Sequence, residues 1–127
     1  MSLRTPLGTV LGHGTARGGV HHWWMQRVTA VALVPLTLWL LYALLALPLA
    51  DHAAVSAWIA ASWHPLLLSL TVLTMAWHSK LGVQVVIEDY VHHKALKTAA
   101  LLLSHFAHVL VALAAIFAVL RIAFRSV

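Results

Sequence analysis

The chain contains no cysteine, which excludes disulfide bridges, thiolate metal sites and cysteine-held iron–sulfur clusters within this polypeptide. Charge is also scarce. Only 9% of the 127 residues are charged, against 62% hydrophobic. A soluble domain carries about 25% charged residues, so this chain has too few to clothe its surface for water. Lipid must be the solvent for much of it, as the mean hydropathy of +0.91 indicates. Negative charge is scarcest: Asp51, Glu88 and Asp89 are the only acidic residues, and the net charge is +5. In a soluble protein that excess would suggest nucleic acid. Here the basic residues sit mainly beside apolar segments, where they set topology and meet anionic membrane lipid, and no nucleic-acid partner is expected. No internal repeat and no Gly/Ser-rich linker divides the sequence, so residues 1–127 read as a single membrane-anchor domain.

The start of the chain does not have the form of a cleaved secretory signal, because a polar, Gly-, His- and Arg-bearing stretch of about 27 residues precedes the first long apolar segment, which is itself too long for a signal core. Met1 to Gly19 has Arg4 and Arg17 and no acid. That is the charge bias of a mitochondrial presequence, without its amphipathic period.

Three segments are long and apolar enough to be transmembrane helices, at about 28–49, 65–87 and 99–120, which predicts an all-α membrane protein. The first has no charged residue and, at 1.5 Å per residue, rises about 33 Å, enough for a hydrocarbon core of about 30 Å. Pro35 lies inside it, and membrane helices tolerate the lost hydrogen bond. Between the first and second spans, Asp51 to His64 holds Trp58 and Trp63, which suits a short interfacial helix because indoles collect at headgroup level. Pro65 is then placed to open the second span as its first residue. Three crossings put Arg4, Arg17, Arg27, Lys94 and Lys97 on one side and Arg121 and Arg125 on the other. That asymmetry predicts a cytoplasmic N-terminus in a multi-pass protein.

The polar residues inside the spans need physical reasons. His78 lies about ten residues, or about 15 Å, in from the polar edge at Glu88. A neutral imidazole at that depth is either an axial ligand to haem iron or a hydrogen-bonding group between helices. Gly82, one turn on, opens the same face to a flat group or to a neighbouring helix. Lys80 points about 200° away from His78 and either snorkels to the headgroups or pairs with a carboxylate. His108 sits at a depth similar to that of His78. His105 and His108 read mainly as packing or hydrogen-bonding residues, although a bis-histidine haem between His78 and His108 is geometrically conceivable. The cluster Glu88-Asp89-Tyr90-Val91-His92-His93 either binds a polar ligand head and relays protons or is a solvated helix end with an aromatic-belt tyrosine. Arg27 is an interfacial anchor or a clamp for an anion, and His21-His22 lacks the further ligands of a metal site.

In order, His78, Gly82, Gln84-Val85-Val86, Glu88-Asp89-Tyr90-Val91-His92 and the entry Arg27-Val28-Thr29-Ala30 make the sequence resemble the small hydrophobic membrane-anchor subunit of succinate dehydrogenase, respiratory complex II. The architecture of nearly the whole chain shares in the resemblance; its specific part is the stretch from His78 to His92. The resemblance implies that His78 is the axial ligand to a haem b shared with a cytochrome b556-type partner anchor subunit. It implies that Tyr90 hydrogen-bonds ubiquinone, and that Asp89 beside it orients the quinone or delivers protons. Arg27 would then lie near the haem propionates and the quinone pocket. Lys80, His105 and His108 receive no role from it. Such an anchor docks a flavoprotein subunit and an iron–sulfur subunit, which carry the FAD and the clusters, in a bacterial inner (cytoplasmic) membrane, and is not catalytic alone. The alternatives are the anchor of a fumarate reductase or other quinone oxidoreductase, and a haem-free membrane interaction or transport protein.

Overall fold

A computed structural model describes residues 17–125 of the chain; Arg4 and most of the presequence-like stretch lie outside the described residues. Four helices follow one another: α1 (Arg17–Ala46), α2 (His52–Ala60), α3 (His64–Tyr90) and α4 (Lys94–Arg125). Among the described residues there is no strand. The helices α1, α3 and α4 are each long and apolar enough to cross a membrane, and the short α2 occupies the connector between the first two, as its tryptophans suggested.

The helices outrun the apolar segments that announced them. α1 begins at Arg17, well ahead of Val28, because no proline interrupts residues 17–27 and backbone hydrogen bonding does not stop where hydrocarbon does. Trp23, Gln26 and Arg27 therefore ride on the helix. Pro35 lies inside α1, which remains helical around it. At the same end of the bundle, α3 continues through Glu88 and Asp89 to Tyr90, closed by a bond from Val91 N–H to the Ile87 carbonyl. These acidic residues form a last helical turn rather than a loop.

Each helix end has an identifiable cause. Asp51 caps α2 by accepting from the N–H groups of Ala53 at 2.9 Å and Ala54 at 3.2 Å, satisfying donors that a helix start leaves open. Pro65 stands in the first turn of α3, where its missing N–H costs nothing. The first turn of α4 carries Lys94 and Lys97, the wrong sign for a helix N-terminus. Lys97 offsets this by donating from Nζ to the Glu88 carbonyl at 2.7 Å, at the negative end of α3. One lysine thus ties the tight α3–α4 turn.

α3 is the middle helix. It packs antiparallel against α1 on one flank and α4 on the other, and among the described residues α1 and α4 do not meet. Trp39 of α1, Trp58 of α2 and His64 of α3 stack at the end remote from Arg27, with Trp58 and His64 centroids 4.2 Å apart. His64 Nδ1 also lies 2.6 Å from the Trp58 carbonyl, so Trp58 turns into the bundle, whereas Trp63 is exposed. The buried positions are few: Leu36, Ala43, Leu81 and Ala112, with Thr29 and Thr71. Leu45, Leu103, Phe117 and Phe124 face outward, where lipid or another subunit must cover them. Hydroxyls are hidden from that apolar surround by bonding back to the preceding turn: Thr37 to the Leu33 carbonyl, Ser69 to Pro65, Thr71 to Leu67 and Thr74 to Leu70.

Candidate functional site

The flank where α3 meets α1 holds the most polar constellation inside the bundle. His78 projects from α3 toward α1, with Nδ1 2.9 Å from Thr29 Oγ1 and Nε2 3.4 Å from the Gln26 amide nitrogen. Thr29 is buried. Its hydroxyl also reaches the Met25 carbonyl at 2.8 Å and the Gln26 carbonyl at 3.1 Å. Both nitrogens of the imidazole are thereby engaged, which meets the demand that a polar ring at membrane depth be satisfied.

The ring borders a cleft of about 950 Å³ that opens between the N-terminal part of α1 and the C-terminal half of α3. His22, Gln26 and Arg27 line it from α1, and His78, Gly82, Gln84 and Glu88 from α3. Two buried polar atoms here have no partner, His22 Nε2 and Gln26 Oε1. Buried polar atoms normally find partners, so the cleft has unspent hydrogen-bonding capacity. Arg27 adds positive charge at its mouth, with its guanidinium 5.4 Å from the centre of the Trp23 ring. Gly82 keeps the α3 wall low: a Cβ there would come within 3.7 Å of the Gln26 amide nitrogen.

Of the residues singled out from sequence, the fold brings His78, Gly82, Arg27 and also Lys80, despite its rotation away from His78, to the lining of one cleft and leaves Asp89 and Tyr90 outside it. Tyr90 ends α3 and is 78% exposed. It lies about 18 Å along the helix from His78 and about 120° around it. Asp89 is exposed beside it, on nearly the same face as His78. Glu88 reaches back to accept from the Gln84 amide at 2.8 Å and shares the cleft. Three residues of α1 complete the site: Gln26, which the sequence did not single out, His22, which was read only as one of a histidine pair, and Thr29, which was named only within the motif that opens the first span. Their spacing is the signal that was available, since 22, 26 and 29 fall on one helical face.

The other histidines sort differently. His108 turns to the α4 side of α3, with Nδ1 2.7 Å from the Ser104 carbonyl and Nε2 3.2 Å from Ser79 Oγ. His78 and His108 thus face opposite flanks of α3, which removes an in-chain bis-histidine pair. His105 is exposed, edge-on to Phe106. Lys80 packs its ammonium 5.3 Å from the Trp77 ring centre. Among the described residues no group of three His, Cys, Asp or Glu side chains is placed to hold a metal ion.

The fold and site define a class: a three-span membrane protein with a polar, basic-mouthed cleft at one end of its middle helix. Comparison with known proteins specifies it. The family model for the succinate dehydrogenase/fumarate reductase transmembrane subunit matches residues 1–120. A succinate dehydrogenase hydrophobic membrane anchor subunit of Rickettsia bellii is 42% identical over 78 residues, covering 61% of this chain and 62% of that protein. The alignment therefore spans less than two thirds of that relative. The Rickettsia conorii protein of the same description is 35% identical over 95 residues, covering 73% of this chain and 75% of its own. A succinate dehydrogenase membrane anchor subunit of Reclinomonas americana is 30% identical over 80 residues, 60% of this chain and 66% of that protein. No solved structure is a significant match. The chain belongs to the succinate dehydrogenase/fumarate reductase transmembrane subunit family, among its hydrophobic membrane anchors.

Proposed function

We propose that this chain anchors a succinate:ubiquinone oxidoreductase in a bacterial inner membrane, N-terminus to the cytoplasm, and that it supplies one axial ligand to a haem b and part of the ubiquinone site. The observation that carries the reading is His78: an imidazole in the middle span, with Nε2 directed into a cleft edged by Arg27 and Gly82. The residues suit a haem. Imidazole nitrogen is an axial ligand of iron, and Arg27 offers a cation for a propionate. The unpartnered His22 Nε2 offers a further polar contact. Bound there, a haem b would supply a one-electron redox centre. The partner anchor subunit, of cytochrome b type, would supply the other ligand, because His108 faces the opposite flank of α3.

The quinone headgroup is placed at the exposed end of α3. Tyr90 donates its phenolic hydrogen to a quinone carbonyl oxygen, where negative charge develops on reduction. Asp89 and the neighbouring histidines pass protons from the aqueous edge. The large exposure of Tyr90 fits a site whose remaining walls belong to partners. The flavoprotein and iron–sulfur subunits dock on that same face and carry the FAD and the clusters; a cysteine-free chain has no thiolate to hold a cluster of its own.

The test is purification through a tag on this chain from detergent-solubilised membranes. Flavin, iron–sulfur clusters and succinate-dependent quinone reduction are expected in the same preparation. A chain that purifies without any flavoprotein partner would refute the anchor reading.

A further inference from the structure

We infer that Thr29 is a positioning residue that sets the tautomer and orientation of His78 as a haem ligand, an inference that rests on the function proposed above. A hydroxyl has one hydrogen to give. The Thr29 hydroxyl lies 2.8 Å from the Met25 carbonyl and 3.1 Å from the Gln26 carbonyl, so that hydrogen is committed to the backbone of α1. Toward His78 Nδ1, at 2.9 Å, Thr29 therefore accepts. Nδ1 carries the proton and Nε2 keeps its lone pair.

The contact on the other side of the ring agrees. An amide NH₂ group only donates, and the Gln26 amide nitrogen faces Nε2 at 3.4 Å. With the lone pair on Nε2, the opposite orientation of the amide would set two acceptors against each other. Two residues of α1, one turn apart, thus impose the same tautomer, and it is the one that presents a ligating nitrogen to the cleft. The Gln26 N–H group donates to that lone pair through a long contact of 3.4 Å, weak enough to leave Nε2 open to a metal ion.

Thr37, Thr71 and Thr74 also bond back to their own helices. Thr29 adds to that a contact with a side chain of another helix, and it is buried. Accepting from Nδ1–H raises the electron density at Nε2 and locks the ring's rotation, as partners of ligating histidines commonly do. A more basic ligand favours ferric over ferrous iron.

The experiment compares the whole complex carrying Thr29→Val, which keeps shape without the acceptor, with Thr29→Ser, which keeps the acceptor. Haem per flavin, the reduced-minus-oxidised spectrum and the haem midpoint potential are measured. For Thr29→Val, haem affinity is expected to fall by about tenfold and the potential of the remaining haem to move positive; Thr29→Ser is expected to restore both. Wild-type occupancy and potential in Thr29→Val overturn the inference, as do equal changes in the Val and Ser variants. If Thr29→Val does not assemble, Thr29→Ala is read in its place. Failure of both to assemble also overturns it, since Thr29 would then be needed for the fold itself. A wild-type complex without haem strikes the proposed function instead, so the two failures are separable.

Discussion

A histidine, a lysine and a threonine at membrane depth each meet the cost of lipid in a different way. His78 engages both ring nitrogens across the α1–α3 seam, Lys80 lays its ammonium against Trp77, and Thr29 gives its hydrogen to its own helix while meeting His78 of another. Tyr90, at the polar end of α3, is exposed instead, and its hydroxyl is the one proposed to meet the quinone. Tyr90→Phe removes that hydroxyl and little else. In the assembled complex it is expected to lower quinone reduction by about 10²-fold, the loss typical of one donor at a developing oxyanion, and to leave the haem spectrum unchanged. Steady-state assay with succinate and a soluble quinone, beside that spectrum, checks it; an unchanged rate would remove Tyr90 from the site. The depth of His78 could be read from its distance to the polar edge. Its partner could not, because Thr29 is 49 positions away and the pairing depends on how α1 is rotated against α3.

Spans were legible because hydropathy needs no periodicity to be read: a run of apolar residues announces a crossing whichever face packs. Helix ends were less so. α1 reaches back to Arg17 and α3 forward to Tyr90, since hydrogen bonding and caps, not polarity, terminate a helix. That difference matters at the site, because it puts Gln26 and Arg27 on a helix face and Asp89 and Tyr90 in a rigid last turn. The connectors carry the orientation claim: basic residues cluster at the α3–α4 turn and the start of α1, and a cysteine-free chain makes the claim easy to test. A single cysteine at the exposed His92 or Ala61 positions, as His92→Cys or Ala61→Cys, gives one label site on each side. In right-side-out vesicles an impermeant maleimide is expected to label Ala61→Cys and spare His92→Cys. The reverse pattern would invert the topology.

The described residues form a layer of three spans with α3 between the other two and few buried residues. Such a layer is not a closed bundle. Among the described residues the cleft is walled by α1 and α3 alone, the second candidate histidine faces away, and Tyr90 stands open at the edge. Each of these gaps is the shape expected of one subunit in a larger membrane assembly, and membership of the hydrophobic-anchor family gives that assembly its kind. The central claim is that His78, alone among the histidines of this chain, ligates a haem in the complex. The most direct measurement is the reduced-minus-oxidised spectrum of the purified complex for wild type, His78→Ala and His108→Ala, with flavin content as the measure of assembly. A b-type haem is expected in the wild type and in His108→Ala, and its loss or marked perturbation in His78→Ala. No haem in the wild type, or a haem lost with His108→Ala and untouched by His78→Ala, would contradict the account.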